Sequence, residues 1–340
     1  MKILSGFTKI IALGLILTIV LAAGVKAQNK EIEKPENFPR RTIKWVVPYG
    51  SGGGSDSFAR QLSKQAEELI DVPIRVVNQP GGGGLAALPS VMSAPADGYT
   101  LYGAGPYINI GELLGNTQFS HDALQVIAQG QKVVSMIFAR PNDKRFQNWE
   151  DLVEYMTGDK KDVSLATAGL GGIEEIVVSS VERQAGVRFS IVPFSQPGER
   201  YSAMVGGQVD LLYEQPGDVK SLIEANKIEP LLVLRDTEER LGGFEEVPSS
   251  LEHDISIPIS RWRGVAVKDG VPEERIRYLE KVFERAWKTE EYQSFQRRKF
   301  LHYIKGWKGH EEMEQYMDEE YELFKEKLSE LGYDVKISGK

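Results

Sequence analysis

Residues 43–56 read Ile43-Lys44-Trp45-Val46-Val47-Pro48-Tyr49-Gly50-Ser51-Gly52-Gly53-Gly54-Ser55-Asp56, and this stretch decides the fold class. Ile43 to Val47 is a short apolar run rich in branched side chains, which predicts a strand; Pro48 stops it, and the glycines that follow predict a tight turn. Beyond Asp56, the residues Phe58, Ala59, Leu62, Ala66, Leu69 and Ile70 recur at helical spacing, so a helix is expected to Ile70, with Ser55 or Asp56 as its cap. The plan then repeats. Ile74 to Val77 predicts a second strand, Pro80 to Gly84 a second glycine turn, and Leu85 to Ser93 a short helix strained by Pro89. Strand, turn and helix in alternation predict α/β architecture with mostly parallel strands.

Outward from this stretch the alternation continues. Further strands are expected at Tyr99 to Tyr102, Gln125 to Gln129, Ser135 to Ala139, Val163 to Ala166, Ser190 to Val192, Leu211 to Tyr213 and Leu231 to Leu234. Helices are expected at Trp149 to Met156, Glu174 to Ala185, Tyr201 to Val205 and Val219 to Glu224. The C-terminal third turns helical: Glu273 to Trp287, Glu290 to Phe300 and His310 to Leu331, the last with Met313, Tyr316, Met317, Tyr321, Phe324, Leu328 and Leu331 on a core-facing stripe. At the other end, Lys2 and Lys9, the apolar run Ile10 to Ala23 and Val25-Lys26-Ala27 read as a cleavable signal peptide, residues 1–27. The run falls short of the roughly 20 residues that span a bilayer. Residues 28–40 read as a flexible tether.

Composition removes several classes of function. The 340 residues contain no cysteine, which excludes disulfides, thiolate metal sites and thiol nucleophiles. Removal of Lys2, Lys9 and Lys26 with the leader takes the formal charge from −8 to −11, and no basic stripe of the kind that reads nucleic acid is present. His121, His253, His302 and His310 are scattered without zinc-ligand spacing, so no metal is expected. The two glycine turns are better placed for an anion, since free backbone N–H groups and the positive end of a helix dipole meet where a helix follows such a turn. Gly54-Ser55-Asp56 lacks the Gly-Lys-Ser/Thr of a phosphate-binding loop, Ser55 stands at the third glycine of a dinucleotide fingerprint, and Gly53-Gly54-Ser55-Asp56-Ser57 lacks the last glycine of a nucleophile elbow. These exclusions leave a binding protein with no catalytic residue and no cofactor as the expectation.

The same residues resemble a known family. Ile43 to Asp56 with Ala59-Arg60, Val76 to Gly84, Ala96-Asp97-Gly98-Tyr99-Thr100-Leu101 and Gly206-Gly207-Gln208-Val209-Asp210 are similar, in order, to the solute receptors of tripartite tricarboxylate transporters, the Bug proteins. Arg261-Trp262-Arg263-Gly264 resembles an element of the citrate-type branch. The resemblance implies a two-lobed α/β fold of the periplasmic-binding-protein kind, with a ligand cleft between lobes joined by two crossing strands. Lobe one would hold residues 41–139 plus 262–340, and lobe two 140–261. It implies a monomeric periplasmic receptor that closes on a small organic carboxylate, citrate-like or a dicarboxylate. The ligand would be handed to one large and one small integral-membrane transporter subunit.

Carried onto this sequence, the resemblance puts backbone amides and bridging waters from Tyr49, Ser51, Gly52, Gly53, Ser55 and Asp56 on one ligand carboxylate. Thr167, Ala168, Gly169 and Gly171, then Ser195 and Gln196, then Glu214 would meet the other end. Asp56 has an equal alternative as a helix cap. Glu174, Glu175 and Glu214 depart from the family pattern; they face solvent or meet a cationic group on a zwitterionic ligand. Arg261 and Arg263 flank Trp262 at the expected hinge, where Arg263 pairs with a second ligand carboxylate or, alternatively, with interlobe acids. Two other functional classes stay open: an exported α/β enzyme using the glycine turns as an oxyanion or phosphate site, and a receptor signalling to a membrane kinase.

Overall fold

The run Ile43–Val47 forms strand β1, with Trp45 wholly buried between the rings of Phe58 at 5.7 Å and Phe283 at 5.5 Å. The computed structural model describes residues 32–158, 162–169, 172–257, 259 and 261–336. In chain order after β1 come α1 (Gly54–Ile70), β2 (Ile74–Asn78), α2 (Leu88–Met92), β3 (Thr100–Ala104), α3 (Tyr107–Leu113), β4 (Leu124–Val133) and β5 (Ser135–Ala139). Next are α4 (Trp149–Gly158), β6 (Ser164–Thr167), α5 (Ile173–Ala185), β7 (Ser190–Pro193), α6 (Pro197–Val205), β8 (Leu211–Glu214), α7 (Lys220–Glu224) and β9 (Glu229–Leu234). The chain ends with β10 (Arg261–Lys268), α8 (Glu273–Lys288), α9 (Glu290–Arg298) and α10 (His310–Glu330).

The strands build two five-stranded sheets, β2-β1-β3-β10-β4 and β7-β6-β8-β5-β9. In the first, β1 runs parallel to β2 and β3, while β10 is antiparallel to β3 and β4. The second repeats the scheme, with β6 parallel to β7 and β8 and β5 antiparallel to β8 and β9. The fold is therefore α/β and two-lobed, and its sheets are mixed: four of the five strands in each run in one direction, as expected, and only β10 and β5 oppose them. The antiparallel members are the strands at which the chain changes sheet, and a chain arriving from the other sheet enters against the direction of the local βα units.

These crossings move the expected lobe boundaries. The chain leaves the first sheet after Val133, and Ser135–Ala139, expected in lobe one, pairs wholly in the second sheet. Helix α10 also serves both: Met313 and Met317 pack with Trp262 and Tyr102, whereas Phe324 and Leu328 pack with Val177 and Val181 of α5. The stripe expected on this helix is thus a core face that changes core halfway along.

Other differences have local causes. Helix α2 starts only at Leu88 and carries Pro89 in its first turn, where the missing N–H costs no bond, so the expected strain is absent. Helix α6 begins at Pro197, four residues before the expected start, for the same reason. Leu69, expected in the core, is 37% exposed. Among the described residues no helix is long and apolar enough to cross a membrane. The expected signal peptide lies outside the described residues.

The expected tether ends early. Phe38 is fully buried, edge-on to Tyr99 at 4.9 Å and to Tyr278 at 6.2 Å, with the Arg275 guanidinium 4.9 Å from its ring. Residues from Asn37 onward belong to the compact body. Phe38→Ala is expected to destabilise the protein by about 3 kcal/mol, as other core Phe→Ala changes do. A urea midpoint equal to wild type would return Phe38 to the tether.

Candidate functional site

Three helices begin at the carboxyl ends of strands: α1 after β1, α5 after β6 and α6 after β7. Ligands of open α/β sheets bind at such ends. None of the three has a side-chain cap; Gly53, Gly172 and Gln196 occupy the cap positions in extended conformations. The expected caps Ser55 and Asp56 lie inside the first turn of α1. The first N–H groups of a helix have no partner within it, so uncapped starts leave donors and a positive dipole end for an anion.

The three starts meet at two small cavities between the sheets. One, of about 30 Å³, is lined by Gly53, Gly54 and Ser55 of the α1 start, by Ser195 and Pro197 of the α6 start, and by Tyr49, Ala168, Arg200, Glu214, Gln215, Arg261 and Arg263. The other, of about 10 Å³, shares Tyr49, Ala168 and Arg261 and adds Gly83, Gly169 and the α5 start at Gly172 to Glu174. Glycine permits this approach of the two sheets. A Cβ on Gly50 would lie 2.8 Å from the Ser195 carbonyl oxygen, one on Gly53 3.1 Å from Pro197, and one on Gly172 3.4 Å from Gly83. On Gly54 it would overlap the Arg263 guanidinium and the Asp218 carboxylate. An organic acid is larger than these spaces, so its entry requires the sheets to part.

Charge in the site comes in pairs. Arg200 of α6 binds Glu214 at the end of β8, which also accepts the Tyr201 hydroxyl at 2.8 Å. Burial alone would raise the Glu214 carboxyl, but Arg200 and Arg261 outweigh it and hold the group below the usual carboxylate range. Arg261 of β10 donates to Glu174 at 2.7 Å, and Glu174 also takes the Ala168 N–H. Arg263 donates to Gln131 of β4 at 3.0 Å, to Gln215, and to Asp218 at 3.3 Å. Glu174 and Glu214 are therefore buried against arginines, which corrects the expectation that they face solvent or a ligand cation. Of the two partners open to Arg263, the structure displays the interlobe acid, Asp218.

Among the residues lining the larger cavity, three buried donors have no protein partner: Nε of Arg200, Nε of Arg263 and Nε2 of Gln215. The walls thus offer unspent N–H groups from side chains as well as from helix starts. Tyr49 closes the floor, its hydroxyl donating to the Gly83 carbonyl at 3.1 Å, and burial pushes its phenol up.

Of the residues expected from sequence, Tyr49, Gly53, Ser55, Ala168, Gly169, Ser195, Glu214 and Arg263 line these cavities. Ser51, Gly52 and Gln196 are exposed and do not line them. Asp56 turns away, accepting the Gly52 N–H at 2.9 Å and Arg60 Nε at 2.9 Å; burial opposes its ionisation, but these donors hold the carboxyl below its usual range. The Thr167 hydroxyl donates to the Gly169 carbonyl at 3.2 Å. Gly171 lies outside the described residues. Reasoning from sequence missed Arg200, which no motif marks; it sits in the first turn of α6, where a long side chain leans back toward the helix start.

Residues 58–325 match the model of the tripartite tricarboxylate transporter family receptor. A UPF0065 protein of Bordetella pertussis is 26% identical over 250 residues, covering 72% of this chain and 76% of that protein. Among solved structures, the periplasmic binding protein BugD superposes with a TM-score of 0.78 at 21% identity, over 87% of this chain and 99% of that one. MatC of Rhodopseudomonas palustris with bound malate gives 0.76 at 22% identity, over 86% and 100%. These structures show the same two-lobed fold. Because the family match covers most of the described residues and every strand except β1, the chain belongs to the tripartite tricarboxylate transporter receptor family.

Proposed function

We propose that the protein is a periplasmic receptor that captures a small organic carboxylate between its two sheets and delivers it to the family's membrane transporter. The observation that carries this reading is the convergence of three uncapped helix starts on one interlobe cleft. These donors act at contact distance, so the acidic total charge, screened over roughly 8 Å at physiological salt, does not oppose capture. The bound malate of MatC supports a carboxylate as the ligand class. The pairing of Glu174, Glu214 and Asp218 with cations argues for a dicarboxylate over an amino acid, since each of these acids is already matched.

The reading predicts binding without turnover. Titration calorimetry against di- and tricarboxylates is expected to show one site per chain, with the acid recovered unchanged and its mass seen on the protein by native mass spectrometry. Hydrolysis of a carboxylate ester or phosphoester that disappears in Ser55→Ala would replace the receptor with an exported enzyme.

A further inference from the structure

Asp218 holds a position that the receptor reading assigns to a ligand. It stands in the loop after β8, and its side chain is nearly buried against Arg263, which projects from the other sheet. Its Oδ2 lies 3.3 Å from Arg263 Nη2, and its Oδ1 is 3.2 Å from Lys299 Nζ, just beyond α9. Both distances exceed the 2.7–2.9 Å of a strong charge-assisted bond, and the guanidinium is engaged by one tip rather than by its fork. Gly54 is what admits the pair, since any side chain there would occupy the place of Asp218 Oδ2 and Arg263 Nη2. A carboxylate therefore already rests at the first turn of α1, on an arginine whose Nε has no protein partner.

We infer that Asp218 is a resident stand-in for a ligand carboxylate, and that a second ligand carboxylate binds Arg263 by exchange, with Asp218 retiring to Lys299. The inference rests on the receptor reading and adds its selectivity device. A buried guanidinium left unpaired is costly, so a counter-charge that leaves when the ligand's arrives keeps Arg263 neutralised throughout. Like charges side by side repel, so the ligand's second carboxylate is admitted only to the extent that Lys299 takes Asp218 away. A monocarboxylate held by the helix starts alone does not enter this competition.

The test uses malate and 3-hydroxybutyrate, which differ by one carboxylate in place of a methyl group, titrated by calorimetry into the mature protein and two variants. Asp218→Asn removes the competing charge and keeps the shape; it is expected to raise malate affinity about tenfold and leave 3-hydroxybutyrate within about twofold. Lys299→Met leaves Asp218 to Arg263 and is expected to lower malate affinity about tenfold, again sparing 3-hydroxybutyrate. Opposite signs from two variants separate exchange from general damage, and thermal unfolding confirms that each folds; if Asp218→Asn does not, Lys299→Met decides. Wild-type binding with an affinity ratio that neither variant changes, or malate binding weakened by Asp218→Asn, overturns the exchange and leaves the receptor intact. Silence of wild type and both variants toward both acids overturns the receptor reading and the exchange with it. Malate binding gained only in Asp218→Asn supports the exchange.

Discussion

Gly54→Val is expected to lower ligand affinity at least about 100-fold, roughly 2.7 kcal/mol, while the far-ultraviolet circular dichroism of the protein stays unchanged. The space beside Gly54 is filled by the Arg263 guanidinium and the Asp218 carboxylate, so a valine must push both away from the first turn of α1. That displacement removes the cation from the anion position and holds the sheets apart. The helix itself tolerates the change, because Gly54 has no left-handed backbone angle to preserve. Gly198→Ala is the control. Gly198 also lies in a helix first turn at the cleft, yet a Cβ there meets nothing within 4 Å, and this variant is expected to bind as wild type. Equal affinities for Gly54→Val and wild type would take the α1 start out of the site.

The second large effect concerns Glu320, buried on α10 under the crossing strand β10. Its carboxyl accepts Trp262 Nε1 at 2.8 Å and Asn109 Nδ2 at 3.1 Å, while Asn109 Oδ1 is buried without a partner. Burial pushes the carboxyl up to about 8, the hydrogen bonds from Trp262, Tyr316 and Asn109 only partly opposing it. The protonated form is therefore favoured in the fold, and this contribution is complete below the unfolded value near 4.5 and is lost as pH rises through about 8. Wild-type stability is expected to fall across that window with a slope of up to about 1.4 kcal/mol per pH unit. Glu320→Gln keeps the acceptor and removes the charge, so its stability profile is expected to lack this slope and to exceed wild type at pH 8.5 by several kcal/mol. Parallel urea-midpoint profiles for the two proteins between pH 5 and 8.5 would show that Glu320 does not titrate in this range.

The sequence showed the architecture through periodicity and punctuation. Strand β1 was legible as a short apolar run ended by Pro48, and helix α1 and the long amphipathic α10 because each has one apolar face and a clear stop. Strand β10 was not named as a strand, since Arg261-Trp262-Arg263-Gly264 places two arginines where a buried strand usually carries apolar residues. Those side chains point into the cleft and find acids there, a compensation that lies 40 or more positions away in sequence. Helix α3 was missed for the opposite reason: Tyr107 to Leu113 is buried on every side, so it has no polar face and no period to detect.

Within the site, glycines were the readable part, because they alone allow two loops to touch. Gly53 and Gly169 were identified as site positions, and Gly54, which makes the tightest contact, lies in the same run. The charged residues were harder to assign. Glu214 and Glu174 resembled candidate ligand contacts until Arg200 and Arg261 appeared beside them, and Asp218 follows an unremarkable loop of Gln215-Pro216-Gly217. A single sequence lists acids and bases without their pairing. The pairing decides which charge remains for a ligand.

The proposed capture holds a carboxylate between helix starts of both sheets. Backbone amide chemical shifts of the nitrogen-labelled mature protein, followed during a dicarboxylate titration, test it most directly. Saturable shifts are predicted at Gly54 and Ser55 of α1 and at Ile173 of α5, with one common dissociation constant. Binding whose shifts spare the α1 and α5 starts, or fall on one of them only, would contradict capture between the sheets.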